Sequence, residues 1–440
     1  MGKLFGTDGV RGVAGELLSA ELVLGLGKAA TFNTGTQRPR VLIVRDTRES
    51  GEMLQAALAA GVSAAGGEAL LGGVLPTPAA PLLLKRYGLD LGIVISASHN
   101  PYRDNGVKFF AADGFKLSDE TERTIEEQLH ADSGAVGGTT AIGHVRELRG
   151  THEDYLRELQ TRFADLRLDG LDLLIDCANG ATYKVAPEVF RRLGADVTVL
   201  AATPDGRNIN EGCGSTHIAK LGERVREGGH ALGLAFDGDG DRVLAVDRAG
   251  VVVDGDELIA LAALHLRELQ RLAGDGVVVT VMTNYGFHAA MRDAGIEVAS
   301  TNVGDRYVLE ELRRKGWMLG GEQSGHIIEM GFNSTGDGIA AALLTLEALG
   351  GRDLAERDAM RKLPQRLVNV RVRDRGALES AESVTEAVRS EDRALRGRGR
   401  VLVRPSGTEP LVRVMVEAPT DEEADATCSR LVTLVERELG

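Results

Sequence analysis

The sequence predicts an α/β protein built from three similar mixed-sheet modules and a smaller C-terminal α+β domain. Short apolar runs alternate with amphipathic segments of helix length through most of the chain, which is typical of α/β layers. This strand–helix–strand unit begins three times, at intervals of about 100 residues, which is a usual domain size. The 440 residues are also too many for one hydrophobic core and predict three or four domains.

The first unit begins with the apolar run RVLIVRD (40–46), which predicts a buried strand, and continues with the helical segment GEMLQAALAAGVSAAG (51–66). LGIVIS (91–96) and GVKFF (106–110) predict two further strands. The second unit starts at LDLLIDCANG (171–180), and a helix and a strand follow in VAPEVFRRLG and DVTVLAA.

The third unit starts at the strand GVVVTVMTN (276–284) and contains helices in GFHAAMRDAG and RYVLEELRRKG. A helix in AESVTEAVRSEDRAL, strands in GRVLVRP and PLVRVMVEA, and a terminal helix then predict the small α+β domain. We expect boundaries in the Gly/Ala/Thr-rich segment 131–143, after DGDGDRVLAVDRAG, and near KLPQRLVNV. The predicted domains are therefore 1–148, 149–251, 252–364 and 365–440.

Composition limits the classes of partner. The formal charge of −14 argues against general binding to nucleic acid or a membrane surface, but it allows a local basic pocket for a phosphorylated small molecule. Cys177, Cys213 and Cys428 have no paired spacing, which indicates reduced cysteines and a cytoplasmic protein. The chain opens without an apolar signal segment, and Gln55 and Glu68 interrupt its longest small-apolar stretch. We therefore expect neither secretion nor a membrane span.

The strongest single motif is AFDGDGDR (235–242), where three aspartates alternate with glycines directly after a predicted strand. Alternate positions of an extended segment point to the same side, so Asp237, Asp239 and Asp241 can converge on one hard cation. An EF-hand is excluded because arginine stands at both the glycine and the glutamate position of that loop. Three protein ligands leave room for a substrate or phosphate oxygen and favour one Mg²⁺ per chain. A solvated acidic turn is the alternative.

A second motif, VISASHNPYRDNG (94–106), leads a predicted strand into two serines and a histidine. Ser98 is a weak nucleophile unless a base or a metal activates it. Neighbours in an extended segment face opposite ways, so His99 is a poor base for Ser98 and is expected to stabilise the turn. We expect Ser96 to serve as the control serine in mutagenesis.

Two loops carry arginines that could bind phosphate. RPSGTEP (404–410) offers a guanidinium, two hydroxyls and backbone N–H groups, a set that suits a phosphate dianion, and Arg413 follows on the next strand. FGTDGVRG (5–12) presents Arg11 on a glycine-rich loop. A surface turn is the alternative for both loops.

A third loop, GGEQSGH (320–326), carries Glu322, Ser324 and His326 at alternate positions. A carboxylate beside a hydroxyl suits vicinal sugar hydroxyls, and the imidazole could hold a phosphate or a proton. Taken together, the motifs favour phosphoryl transfer to and from a phosphosugar through a covalent phosphoserine. A serine hydrolase lacks its G-x-S-x-G elbow here, and a P-loop kinase lacks G-x-x-x-x-G-K-[ST].

The chain resembles the α-D-phosphohexomutases. Their four signatures stand here in the family's order, as SASHNP, DGDGDR, GGEQSGH and RPSGTEP, and the resemblance runs from Phe5 to Arg413. The resemblance implies four domains around a central active-site cleft, each contributing one loop: the phosphoserine, metal, sugar and phosphate loops in turn. The opening FGTDGVRG and Gln323 are similar to the subgroup that acts on glucosamine phosphates.

The resemblance implies the interconversion of glucosamine 6-phosphate and glucosamine 1-phosphate through a bisphosphorylated sugar, on the route to UDP-N-acetylglucosamine. It assigns the phosphoryl group to Ser98 and places Mg²⁺ on the three aspartates and a phosphoserine oxygen. The residues that it assigns to substrate binding are Arg242, Glu322, Ser324, Arg404, Ser406, Gly407, Thr408 and Arg413. Glucose or mannose phosphates as substrates, or a non-catalytic sugar-phosphate sensor, are the alternatives.

The resemblance also names the proton carriers and partners. Lys108 stands ten residues after Ser98, as the family's lysine does, and is preferred over His99 as general acid/base; His326 is the other candidate. Lys108 would need a pKa lowered by the metal and Arg11, which would add a second positive group near the transferred phosphate. A homodimer and activation by a sugar bisphosphate are further implied.

Overall fold

A computed structural model describes residues 4–6, 8–130, 142–406 and 410–440. The predicted boundary segment 131–143 therefore lies almost entirely outside the described residues. The chain forms two compact units, one of Met1–Val281 with Ala299–Arg357 and one of Met282–Val298 with Asp358–Gly440. The predicted domain limits stay a prediction.

The structure contains strands and helices in the alternation that the sequence predicts. The strands are β1 (Val10–Val13), β2 (Arg40–Arg45), β3 (Glu68–Val74), β4 (Leu91–Ile95), β5 (Asp104–Ala111), β6 (His144–Glu147), β7 (Asp172–Asp176), β8 (Asp196–Leu200), β9 (Leu232–Phe236), β10 (Val243–Asp247), β11 (Val252–Val253), β12 (Gly276–Thr280), β13 (Glu297–Thr301), β14 (Leu319–Gly321), β15 (Ile327–Glu329), β16 (Gln365–Arg371), β17 (Arg400–Pro405) and β18 (Leu411–Glu417). The helices are α1 (Ala20–Phe32), α2 (Gly51–Ala64), α3 (Ala79–Tyr87), α4 (Asp119–His130), α5 (Thr151–Arg162), α6 (Val185–Arg192), α7 (Ile218–Gly228), α8 (Gly255–Glu268), α9 (Tyr285–Asp293), α10 (Asp305–Lys315), α11 (Gly338–Leu349), α12 (Glu382–Leu395) and α13 (Asp421–Leu439).

Three sheets share one plan. The first has the order β1-β5-β4-β2-β3-β6, the second β11-β10-β9-β7-β8, and the third β13-β12-β14-β15. In each, parallel pairs (β2 with β4, β7 with β9, β12 with β14) meet an antiparallel pair (β4 with β5, β9 with β10, β14 with β15). The fourth sheet, β16-β18-β17, is antiparallel throughout. The predicted fold class is confirmed.

All four sequence motifs occupy the same place in this plan. SASHNP connects β4 to β5, and DGDGDR connects β9 to β10. GGEQSGH connects β14 to β15, and RPSGTEP connects β17 to β18. Each connection joins two antiparallel neighbours and therefore lies at the ends of the strands that it links.

Buried apolar side chains hold the layers together. In the first sheet, Ile43 and Ile95 lie in one core with Leu26 of α1 and Leu58 of α2. In the compact unit of Met282–Val298 with Asp358–Gly440, Val414 of β18 and Leu431 of α13 lie in a separate hydrophobic core. Cys177, Cys213 and Cys428 are free, as expected. None of the helices in the described ranges has the length and apolar character that crossing a membrane requires.

Candidate active site

Ser98 lies in a turn after the end of β4, where side chains no longer alternate as they do along a strand. β4 ends at Ile95, and Ser98 adopts a left-handed φ of +51° while its side chain is almost fully buried. The Ser98 hydroxyl donates to Oδ2 of Asp237 at 2.5 Å. Sequence positions 139 residues apart are thereby joined at the centre of the site.

The expected orientation of His99 is wrong. Its Nδ1 lies 3.3 Å from the Ser98 Oγ, because the left-handed turn at Ser98 ends the alternation of an extended strand and puts both side chains on one side. Burial, and then the positive charges of Arg242 and Arg11, lower the pKa of His99. A neutral imidazole therefore stands beside the serine hydroxyl.

Ser96 is not a neutral control. Its hydroxyl donates to Asp46 at 2.6 Å and accepts from the backbone N–H of Ser98 at 3.0 Å. Removing this hydroxyl would disturb the turn that carries Ser98, so a control serine has to be chosen elsewhere.

The three aspartates converge, but through a tight turn rather than an extended segment. One carboxylate oxygen from each of Asp237, Asp239 and Asp241 lies within 4.8 Å of the others, and all three residues are buried. The chain turns through Gly240, whose φ is +71°. At Gly238 an added Cβ would lie 2.6 Å from the carbonyl oxygen of Ser98, so the absence of a side chain lets the two loops pack directly on one another.

The carboxylate oxygens fit a hard cation. Oδ1 of Asp239 and Oδ1 of Asp241 are buried and accept no hydrogen bond from any described residue. Burial, and then the charges of Asp241 and Asp239, raise the pKa of Asp237 well above its ordinary value. A divalent cation would both satisfy these oxygens and relieve the repulsion that raises this pKa.

Lys108 lies at the same centre. Its Nζ is 2.9 Å from Asp239, 2.9 Å from Asp8 and 3.7 Å from Asp241, and the side chain is almost completely buried. Burial alone would lower the pKa of Lys108, but these carboxylates outweigh it and raise the pKa above the ordinary value. The surrounding carboxylates therefore favour the cationic form of Lys108, and the pKa lowered by a metal and Arg11 that a lysine base would need stays a prediction.

Sequence reasoning missed an ionic chain beside Lys108. Arg11 donates to Asp8, and Lys116 pairs with Asp8 at 2.6 Å and with Asp305 at 2.5 Å. Asp8 was visible in FGTDGVRG, but Lys116 and Asp305 stand in segments that carry no recognisable motif. Only their contact across 189 residues identifies them.

Side chains of the GGEQSGH loop anchor it to neighbouring segments. Glu322 is buried, and its Oε1 accepts the backbone N–H of Gly304 at 2.9 Å. His326 Nδ1 lies 3.6 Å from Asp241, and its Nε2 accepts the N–H of Gly336 at 3.1 Å. The second contact leaves the proton on Nδ1, facing Asp241, so His326 is placed to orient this aspartate.

In the compact unit of Met1–Val281 with Ala299–Arg357, seven predicted residues surround one cavity of about 560 Å³, whereas Lys108, Asp237 and Asp239 do not line it. The predicted residues that line this cavity are Arg11, Ser98, Asp241, Arg242, Glu322, Ser324 and His326. Asp8, His99 and Asp305 line it as well. Both signs of charge surround the cavity, which suits a ligand with a phosphate and several hydroxyls.

In the compact unit of Met282–Val298 with Asp358–Gly440, two predicted arginines lie opposite each other. Arg404 of β17 pairs in register with Arg413 of β18, and burial, then the charge of Arg413, lowers the pKa of Arg404. Like charges directly opposite on neighbouring strands are unfavourable without an anion between or beside them. Ser406 is buried next to them. Gly407 and Thr408 lie outside the described residues.

The chain matches the phosphoglucomutase/phosphomannomutase family along almost its whole length. Residues 2–135 match α/β/α domain I, residues 153–250 domain II, residues 254–367 domain III, and residues 367–434 the C-terminal domain. The resemblance to this family is therefore confirmed.

Individual proteins are similar over the same length. A phosphoglucosamine mutase from Desulforudis audaxviator is 52% identical over 445 residues, which cover 99% of this chain and 98% of the relative. A phosphoglucosamine mutase from Moorella thermoacetica is 51% identical over 432 residues, with 97% of each chain covered. The solved structure of Aspergillus fumigatus N-acetylphosphoglucosamine mutase in complex with GlcNAc-6P and magnesium is 20% identical, with a TM-score of 0.69 over 99% of this chain and 96% of that one.

These matches agree with the sheet plan and with the position of the four motifs. All four domains are present in the family's order, and the identities to the first two relatives extend over nearly the full chain. The chain is therefore an enzyme of the mutase class and belongs to the phosphoglucomutase/phosphomannomutase family, the α-D-phosphohexomutases.

Proposed function

We propose that this protein is a phosphoglucosamine mutase, which interconverts glucosamine 6-phosphate and glucosamine 1-phosphate through a phosphoserine at Ser98. The observation that carries the proposal is the contact of the Ser98 hydroxyl with Asp237, one of three clustered carboxylates. A serine beside a hard-cation site is suited to carry a phosphoryl group, whereas an acyl-transfer serine needs a base and an oxyanion hole. Similarity to phosphoglucosamine mutases supports the choice of sugar.

The three aspartates would hold one Mg²⁺ per chain, with Asp239 and Asp241 offering the Oδ1 atoms that accept no hydrogen bond from described residues. When bound, Mg²⁺ neutralises charge on a phosphoryl group in the loose transition state of its transfer. Lys108 and Arg11 would add positive charge from the protein side. Magnesium in the related Aspergillus enzyme supports the choice of this cation.

Each half-reaction exchanges one phosphorus–oxygen bond for another. The bond from phosphorus to Ser98 Oγ breaks, a bond to a sugar hydroxyl oxygen forms, and the hydroxyl proton is relayed through a protein group to Ser98 Oγ, so that this group ends in the protonation state in which it started. Lys108 and His326 are the proposed proton carriers; the cationic state of Lys108 suits it to return a proton to the oxygen that leaves phosphorus. The second half-reaction runs the same exchange from the other end of the bisphosphorylated sugar.

The substrate contacts are proposed residue by residue. Glu322 and Ser324 would bind sugar hydroxyls, with Arg242 beside them, since these side chains line the cavity that contains Ser98. Arg404, Ser406, Gly407, Thr408 and Arg413 would bind the phosphate that is not being transferred. The opposed pair of Arg404 and Arg413 supports an anion site there. Activation by a sugar bisphosphate, a homodimer and a cytoplasmic location also remain predictions.

Replacing Ser98 by alanine tests the mechanism. We expect Ser98→Ala to lose both the phosphate detected by intact mass spectrometry and nearly all turnover of glucosamine 6-phosphate, because Ser98 is the hydroxyl that donates to Asp237 among the described residues. Ser63, which is in helix α2 and outside this cavity, provides a control in Ser63→Ala. Wild-type turnover in Ser98→Ala would exclude the phosphoserine. If the wild-type protein bound glucosamine 6-phosphate but did not turn it over, the sensor alternative would be favoured.

Side-by-side values of kcat/KM for glucosamine 6-phosphate, glucose 6-phosphate and mannose 6-phosphate test the sugar. We expect the amino sugar to be preferred. A preference for glucose or mannose phosphate would retain the chemistry but replace the proposed substrate by that of the phosphoglucomutase or phosphomannomutase alternative.

A further inference from the structure

We infer that Arg48 and Asn210 form a carbonyl clamp that holds Ser98 in its reactive orientation and thereby sets the rate of phosphoryl transfer. Arg48 Nη2 donates to the carbonyl oxygens of Ser98 and Asn100, each at 2.9 Å. Asn210 Nδ2 donates to the same two oxygens at 2.9 and 3.1 Å. Two side chains from separate segments thus grip both carbonyls that flank His99.

Further hydrogen bonds hold the Arg48 guanidinium in place. It is fully buried, its Nε donates to Asp46 Oδ2 at 2.8 Å, and its Nη1 reaches the carbonyl oxygen of Asp104 at 3.0 Å. Asp46 also accepts the hydroxyl of Ser96, which in turn accepts the backbone N–H of Ser98. One network therefore holds the Ser98 residue at its N–H and at its carbonyl oxygen.

Hydrogen bonds to both the N–H and the carbonyl oxygen of Ser98 explain a backbone conformation that serine rarely adopts. A left-handed φ persists at a residue other than glycine when its surroundings over-determine it, and such residues concentrate at functional sites. With the backbone so fixed, the Ser98 hydroxyl is aimed at Asp237. A planar guanidinium with five donors can span several carbonyls at once, which a lysine ammonium cannot do in the same geometry.

Asn210 connects the clamp to the aspartate loop. An added Cβ at Gly238 would lie 2.7 Å from Asn210 Nδ2, so this amide packs directly on the loop that carries Asp237 and Asp239. Asn210 is held by its backbone N–H, which donates to the carbonyl oxygen of Ala178 at 2.9 Å. The clamp therefore fixes the position of Ser98 relative to the loop that carries Asp237 and Asp239. Arg48 and Asn210 act as positioning residues, since neither lines the cavity.

The inference rests on the proposed phosphoserine, and two variants test it. We expect Asn210→Ala and Arg48→Lys to lower kcat about tenfold or more, because a small misplacement of a reacting group costs that much, while KM for glucosamine 6-phosphate stays within about threefold. The rate at which glucose 1,6-bisphosphate phosphorylates Ser98, followed by intact mass spectrometry, should fall by the same factor. Asn208→Ala is the matched control, because the Asn208 side chain bonds within its own loop, where it donates to the carbonyl oxygen of Thr203 and accepts the backbone N–H of Asp205.

The two proposals fail separately. Wild-type enzyme without turnover of glucosamine 6-phosphate would refute the proposed substrate, but the ratio of Ser98 phosphorylation rates between variant and wild type would still report on the clamp. Wild-type kcat and phosphorylation rate in Asn210→Ala would overturn the clamp. If that variant does not fold, Arg48→Lys decides, and a rise in KM with unchanged kcat would likewise overturn it.

Discussion

Gly238→Ala places a methyl group directly at the contact between the loop of Ser98 and the loop of the three aspartates. The added Cβ would lie 2.6 Å from the Ser98 carbonyl oxygen, 2.7 Å from Asn210 Nδ2 and 2.8 Å from Ile209 Cδ1. Two of these atoms are hydrogen-bonded to one another at 2.9 Å, so neither can move independently. The gap to the Ser98 oxygen must grow to about 3.4 Å, an ordinary van der Waals contact, which separates the loops by about 0.8 Å.

This displacement has two expected consequences. Overpacking of a rigid contact costs about 1–3 kcal/mol of unfolding free energy and lowers the melting temperature by several degrees. A shift approaching 1 Å between reacting groups costs on the order of 100-fold in rate. Because Ser98 and Asp237 sit on the two loops that must separate, we expect kcat to fall about 30- to 100-fold.

Steady-state kinetics and thermal melting on the same samples separate the two effects. Gly331→Ala is the matched control, because its Cβ would meet only the flexible end of Met318, at 2.9 Å, and Glu329 Oε1 at 4.0 Å. We expect this control to keep wild-type kcat. Gly238→Ala with kcat within twofold of wild type would refute the claim that this contact sets the catalytic geometry.

Three further predictions address stability and the cation. Tyr155→Phe removes a buried hydroxyl that donates to both carboxylate oxygens of Asp337 at 2.9 and 3.0 Å, so denaturant titration should show a loss of about 1–3 kcal/mol, and an unchanged midpoint would contradict it. Burial, then the charge of Arg400, lowers the pKa of His288 to about 4, so its contribution to stability is complete above about pH 6.5 and is lost as pH falls towards 4. His288→Gln should therefore remove a loss of about 3 kcal/mol from the titration between those pH values; an identical pH slope in wild type and variant would disprove the assignment. Removal of divalent cations with a chelator should abolish turnover and added Mg²⁺ should restore it and raise the melting temperature, whereas full activity after chelation would exclude the metal role of Asp237, Asp239 and Asp241.

The elements of the fold were predictable because strand and helix patterns are local. RVLIVRD and LGIVIS were recognisable as buried strands, and both are strands in the structure, β2 and β4. Their ends were predicted one residue too far, because the polar residue that follows the apolar run already belongs to the loop. The three repeats of the strand–helix unit likewise follow from spacing along the chain.

The position of the motifs was also visible in the sequence, but their geometry was not. A run of aspartates after a strand predicts a cation site whichever way the chain turns, and Asp237, Asp239 and Asp241 do converge. The period-two argument failed for His99 because it assumes an extended backbone. Ser98 leaves that conformation at φ +51°, and the surroundings that hold it there lie elsewhere in the chain.

The sequence alone therefore determined the fold class, the family and the residue types that meet at the site. Tertiary structure alone decided which charges face one another. Lys108 contacts Asp239 across 131 residues, Lys116 contacts Asp305 across 189, and Asn210 contacts Ser98 across 112. No local pattern encodes such pairs, because they depend on how separate sheets bring their loops together. The same contacts raise the pKa of Lys108 instead of lowering it, since a buried charge responds to its neighbours in space rather than to its neighbours along the chain.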